Sequence, residues 1–164
     1  MSFTFNIFIS ISYEKVLEAV TFIKNYLTDR NIIFQPTTGI ICGTGLSIMI
    51  YIRTFSFFKL SLHFSGLSVE PLSPPLDYKE IPNYPFTAIP GHQGQLLLGR
   101  LARTQCLVFQ GRAHLYQGFT AADTAFPVRL MKLLGVEQIV TTNLAGALNK
   151  DYKVTLSTHL DWSL

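Results

Sequence analysis

Residues Gly39-Ile40-Ile41-Cys42-Gly43-Thr44-Gly45-Leu46 decide how this chain folds. The apolar run Gly39–Cys42 reads as a short buried strand, and it passes directly into a glycine turn that only small residues allow. Backbone N–H groups in such a turn, with the Thr44 hydroxyl, are a candidate anion cradle, although glycine turns also follow strands that bind nothing. Upstream, Val16, Leu17, Val20, Phe22, Ile23 and Leu27 recur at helical spacing, which predicts an amphipathic helix over Tyr13–Leu27. Downstream, Gln95–Leu98 and Thr104–Gln110 read as paired strands, Thr124–Leu134 as a helix stopped by Gly135, and Gln138–Thr142 as a buried strand. Strands alternating with helices place the chain in the α/β class.

Two segments stand apart from this pattern. Ser47–Phe64 holds 11 apolar residues among 18, five of them aromatic, with two bases and no acid. Arg53 and Lys59 interrupt it, and it is shorter than the roughly 20 apolar residues of a membrane span, so it predicts no membrane helix. Pro71–Pro90 carries six of the eight prolines and predicts a surface connection, because each proline removes a backbone donor.

Composition narrows the rest. At 164 residues, 48% hydrophobic and 14% charged, the chain fits one domain with a sizeable core and excludes intrinsic disorder. The net charge is +3, and subtracting the two bases of Ser47–Phe64 leaves +1. No dense basic run points to nucleic acid or to a membrane surface. Cys42 and Cys106 are predicted to be buried, reduced thiols rather than a disulfide, and no His, Cys or carboxylate group has metal-ligand spacing. Nor is there a serine or cysteine nucleophile signature. Met1–Ser12 lacks a basic start and a small-residue cleavage pattern, so it reads as no signal peptide and the chain as cytoplasmic.

Candidate chemistry gathers in loops. If Gly111-Arg112-Ala113-His114-Leu115-Tyr116 continues its strand, Arg112, His114 and Tyr116 share one face at about 6 to 7 Å spacing. A guanidinium matches two phosphate oxygens at once and a neighbouring histidine adds a further donor, although the same alternation suits an edge strand with a polar outer face. Thr142-Asn143-Leu144-Ala145-Gly146-Ala147 follows another strand, and His92 lies between glycines in Pro90-Gly91-His92-Gln93-Gly94, where a solvated loop histidine is equally natural. His63 and His159 have no partner to suggest a role. Ligands of open α/β sheets collect at the carboxyl ends of strands, so the loops after Cys42, Gln110 and Thr142 could meet at one site.

These loops, with Glu80-Ile81-Pro82-Asn83-Tyr84-Pro85, Gly118 closing the Arg112 motif, and Phe126-Pro127-Val128-Arg129, resemble the trimeric purine nucleoside phosphorylases in content and order. The methylthioadenosine phosphorylases share the architecture but not the Glu-Ile-Pro and Gly-Arg-x-His-x-Tyr wording. The resemblance implies an α/β three-layer fold with a mixed sheet, a homotrimer, and phosphate-dependent cleavage of purine nucleosides to free base and ribose 1-phosphate. It implies no cofactor and no metal, with inorganic phosphate as co-substrate. Thr44, His92, Arg112, the Ala113 backbone, His114 and the Leu144 amide would surround the phosphate, with His114 taking part in catalysis. Tyr116, Asn143 and Leu144 would meet the nucleoside. Leu144 and Ala147 stand where the family usually has Ala and Gly. The resemblance treats residues 1–164 as one domain, 47–64 as an insertion whose removal joins Leu46 to Ser65-Gly66-Leu67, and 155–164 as a divergent tail. It covers about the amino-terminal half of a family member, and the Glu and Asn that hold the purine would lie in the other half. An alternative is an inactive remnant binding phosphate or a partner subunit, poorly soluble because apolar sheet faces are exposed.

Overall fold

A computed structural model of the chain describes residues 13–43, 69–86 and 94–142. Helix α1 (Tyr13–Thr28) buries Val16, Ala19, Val20, Ile23 and Leu27. These recur every three or four residues and make one apolar stripe. The helix ends on Asn31 at φ 53°, with Ile32 N–H bonding back to the Leu27 carbonyl at 2.9 Å. The Arg30 guanidinium folds over the Tyr26 ring at 3.7 Å. Strand β1 (Thr38–Cys42) follows, then β2 (Val69–Pro71), β3 (Leu76–Asp77), β4 (Gln95–Leu101), β5 (Thr104–Gln110) and β6 (Gln138–Thr141). Between β5 and β6 lie a short helix α2 (Ala121–Thr124) and helix α3 (Phe126–Leu133).

The sheet runs β2-β4-β5-β1-β6, with β3 also paired to β4. β1 is parallel to both β5 and β6, and β4 is antiparallel to β5 through the two-residue turn Ala102-Arg103. The expected mixed α/β sheet is therefore present. Alternate residues feed two cores: Ile41, Leu96, Leu98, Leu107 and Phe109 pack with α1 and α3, while Ile40, Cys42, Val69, Leu97, Cys106 and Val108 fill the opposite face. This period-two alternation fixes the register, since a one-residue slip would exchange the two cores.

Three expectations change in detail. The helix read as Thr124–Leu134 is two helices that meet at Ala125: a capping box starts α2, with Asp123 N–H donating to Thr120 Oγ1 at 3.2 Å and Thr120 N–H to Asp123 Oδ2 at 2.8 Å, and Pro127, which has no N–H to give, opens α3. Gly135 does end α3, at φ 93°, with Val136 N–H closing on the Met131 carbonyl at 3.0 Å. The Pro71–Pro90 segment is more than a surface connection, since Leu76, Tyr78 and Ile81 lie in the core at 1–2% exposure. β6 is not buried: Ile139 and Val140 are 42% and 50% exposed, because β1 covers one edge and no strand pairs with the other among the described residues. The segment Ser47–Phe64 lies outside the described residues.

Gly39 shows why a glycine sits inside β1. A Cβ there would collide with the Met131 side chain of α3, so the missing side chain lets helix and strand approach. Gly39→Ala is expected to cost about 1–3 kcal/mol, as overpacking does. A urea titration showing an unchanged midpoint would contradict that close approach.

Candidate active site

The carboxyl ends of β5, β1 and β6 lie side by side, and a pocket of about 250 Å³ opens there, lined by Ile41, Arg112, Ala113, His114, Leu115, Thr124 and Pro127. This is where an open parallel sheet gathers ligands. Two of the three expected loops begin in direct contact: Gly43 N–H donates to Thr142 Oγ1 at 2.9 Å, and Thr142 N–H to the Ile41 carbonyl at 3.0 Å. Their first residues are therefore tied together at the end of β1.

The Arg112 segment is not the continued strand that alternation suggested. β5 stops at Gln110, Gly111 takes φ 116°, and Leu115–Gln117 form a turn of 3₁₀ helix. The positive φ breaks the ladder, so Arg112, His114 and Tyr116 do not share an extended face. A different geometry joins them. Gln117 Oε1 accepts from His114 N–H at 2.7 Å, Gln117 N–H donates to the His114 carbonyl at 3.0 Å, and Gly118 ends the turn at φ 90°. The turn stacks the His114 and Tyr116 rings 4.8 Å apart at 17°. Arg112, Ala113 and His114 line the pocket, whereas Tyr116 is 80% exposed outside it. Thr44, His92, Asn143 and Leu144 lie outside the described residues.

Arg112 carries the most informative atom of the site. Its Nε is buried and has no hydrogen-bond partner among the described residues. A buried, unsatisfied donor is uncommon and costly unless something occupies the space in front of it. Its charge also reaches Cys42, whose thiol is pushed up to about 11 by burial, with Arg112 opposing the rise. Burial raises Cys106 to about 11 as well. Both thiols are free, as the sequence led one to expect. Among the described residues no cluster of His, Cys, Asp or Glu could hold a metal. Likewise, no helix among them is long and apolar enough to cross a membrane.

The core also holds an aromatic cluster that sequence reading missed. Tyr78 and Tyr84 have ring centroids 4.2 Å apart, Tyr84 stacks on Phe109 at 6.0 Å, and it meets Phe126 edge-on at 5.5 Å. Both phenols are held above their ordinary pKa by burial. The only cue in the sequence was the aromatic content of a proline-rich stretch that otherwise reads as loop.

Comparison with known proteins agrees with this geometry. Residues 37–155 match the Phosphorylase superfamily, and the chain belongs to that family. Within it, the chain is 37% identical over 121 residues to the purine nucleoside phosphorylase of Mus musculus, covering 74% of this chain and 36% of that protein. It is 33% identical over 142 residues to purine nucleoside phosphorylase 1 of Bacillus subtilis, covering 85% of this chain and 44% of that protein. A crystal structure of isoform 2 of the Schistosoma mansoni enzyme, in complex with cytosine and ribose-1-phosphate, superposes with a TM-score of 0.62 at 35% identity over 87% of this chain and 42% of that one. The chain thus spans less than half the length of these relatives.

The thiols provide a test of the burial around the site. With folded values near 11 and ordinary values of 9.0, the unfolded chain loses these protons first as pH rises. Stability is therefore expected to be level below about pH 9 and to fall between pH 9 and 11. In Cys42→Ala/Cys106→Ala that fall should shrink in a urea series at each pH. An identical slope in the double variant would contradict the assignment.

Proposed function

We propose that the chain provides the phosphate side of a purine nucleoside phosphorylase active site and takes part in phosphate-dependent cleavage of purine ribonucleosides or deoxyribonucleosides. The main support is the Arg112 Nε, buried and without a partner among the described residues, on the wall of a pocket at the carboxyl ends of three adjacent parallel strands. A guanidinium there gives a dianion a planar pair of donors, and His114 on the same wall adds a third direction. By resemblance, Thr44, His92 and the Leu144 amide complete the phosphate shell. Tyr116, already stacked on His114, would pack on the ribose, with Asn143 and Leu144 at the nucleoside.

The chemistry follows from charge. Phosphate oxygen attacks the anomeric carbon as the bond to the purine nitrogen breaks, and the base departs with the bonding pair. Positive charge develops on the sugar in the transition state. A phosphate fixed beside it stabilises that charge without reorganising solvent, and each positioned donor in such a site contributes about 2.7–4 kcal/mol. Phosphate is the co-substrate, with no further cofactor or metal. The proposal includes a cytoplasmic homotrimer and treats residues 1–164 as one domain with 47–64 as an insertion and 155–164 as a divergent tail. Sequencing the transcript tests the insertion: a message lacking those codons makes it an artefact of gene prediction, and a message carrying them makes it part of the protein.

A second reading keeps the same pocket without chemistry. On that reading the chain binds phosphate or a partner subunit without turnover. Incubation of the purified chain with inosine and inorganic phosphate separates the two: release of hypoxanthine supports the enzyme, and phosphate binding without release supports the second reading. In either case Arg112→Ala is expected to weaken phosphate binding about 10- to 100-fold, the worth of a charge-assisted hydrogen bond. Calorimetric titration giving equal affinity for the variant would remove Arg112 from the site.

A further inference from the structure

Tyr78 touches the protein at two places that matter for the pocket, and neither is the pocket itself. Its backbone N–H donates to the Gly94 carbonyl at 2.8 Å, and its buried hydroxyl donates to the Gly111 carbonyl at 3.2 Å. Gly94 directly follows His92-Gln93 and opens β4; Gly111 ends the ladder of β5 and directly precedes Arg112. Gly94 is also tied to the end of β5, since its N–H donates at 3.0 Å to the carbonyl of Gln110, the residue before Gly111. Both take positive φ, 63° and 116°, so each is a point where the backbone leaves the sheet direction. Gly94 is further fixed by Phe86, which occupies the space a Cβ would need.

The phenol is held rigidly from behind. Tyr78 is 2% exposed, its ring lies 4.2 Å from that of Tyr84 and 6.0 Å from that of Phe86, and Phe109 of β5 completes the contact at 6.2 Å. A buried hydroxyl on an immobile ring sets the position of the carbonyl it bonds, whereas a solvated one would follow it. The orientation of the Gly111 peptide in turn sets where the Arg112 backbone starts, and hence where its guanidinium lies.

We propose that Tyr78 is a positioning residue for phosphate binding, its hydroxyl holding the Gly111 peptide so that Arg112 faces the pocket while its backbone secures the Gly94 end of the neighbouring loop. This rests on the reading of the pocket as a phosphate site. The aromatic cluster is then part of the anion site's support as well as core.

The test compares two single-atom deletions in the same cluster. Tyr78→Phe removes the hydroxyl that reaches Gly111 and keeps the ring and the backbone bond to Gly94. Tyr84→Phe removes the neighbouring buried hydroxyl, which lies against that of Tyr78 but reaches neither loop, the two rings being 4.2 Å apart. Inorganic phosphate is titrated into the unmodified chain and both variants at a temperature where all are folded, following the Arg112 Nε–H resonance by NMR. Tyr78→Phe is expected to bind phosphate about five- to tenfold more weakly, the range of one lost buried hydrogen bond, with a displaced Arg112 resonance before phosphate is added. Tyr84→Phe should keep the unmodified affinity and resonance. Equal affinity in Tyr78→Phe and the unmodified chain overturns the positioning role and leaves the phosphate site standing, as does an equal loss in both variants, which would mark a general effect of the cluster. An unmodified chain that binds no phosphate overturns the site reading and this inference together.

Discussion

The central constraint is the pairing of β1 on both sides. Thr38–Cys42 forms parallel ladders with β5 and with β6, so its backbone is satisfied within the sheet and its side chains enter a core on each face. A strand held in this way cannot shift without breaking two ladders and exchanging two cores. Because the three strands run the same way, their carboxyl ends share one side of the sheet, and the chain leaves that edge after Cys42, Gln110 and Thr141. The Gly43–Thr142 hydrogen bond is the first consequence, and the pocket between Ile41 and Arg112 is the second.

From that edge the site is assembled by departures from regular structure. Gly111 ends the β5 ladder, the Gln117 side chain closes a 3₁₀ turn on His114, and Pro127 at the start of α3 supplies one wall. The result puts a cation, whose buried Nε has no partner among the described residues, beside a histidine on one pocket wall. Burial serves both parts of the design. It raises the Cys42 thiol, keeping a second charge away from Arg112, and it leaves the guanidinium in a medium of lower dielectric where its attraction for an anion is stronger than in water.

Much of this was legible in the residues and some of it was not, for identifiable reasons. α1 announced itself by Val16, Val20, Ile23 and Leu27 at helical spacing, and β1 by a short apolar run before glycine, because periodicity and burial are local signals. Gly135 was legible as a stop because only a left-handed residue closes that turn. The shape of the Arg112 loop was not: alternation of polar side chains cannot reveal a positive φ at Gly111, and the histidine and tyrosine come together by a turn rather than by a strand. Exposure of β6 was equally hidden, since Gln138–Thr141 carries β-branched residues whose covering depends on neighbours far along the chain. The role of Tyr78 needed three dimensions, as its two partners lie 16 and 33 residues away.

The central claim, that three parallel strand ends gather an anion against Arg112, is tested most directly by a crystal structure of the chain grown with inorganic phosphate. The account predicts phosphate oxygens within hydrogen-bond distance of the Arg112 guanidinium, with the His114 ring beside them in the pocket beyond Ile41. Phosphate bound elsewhere on the molecule, with the Arg112 side chain turned away from that pocket, would contradict it.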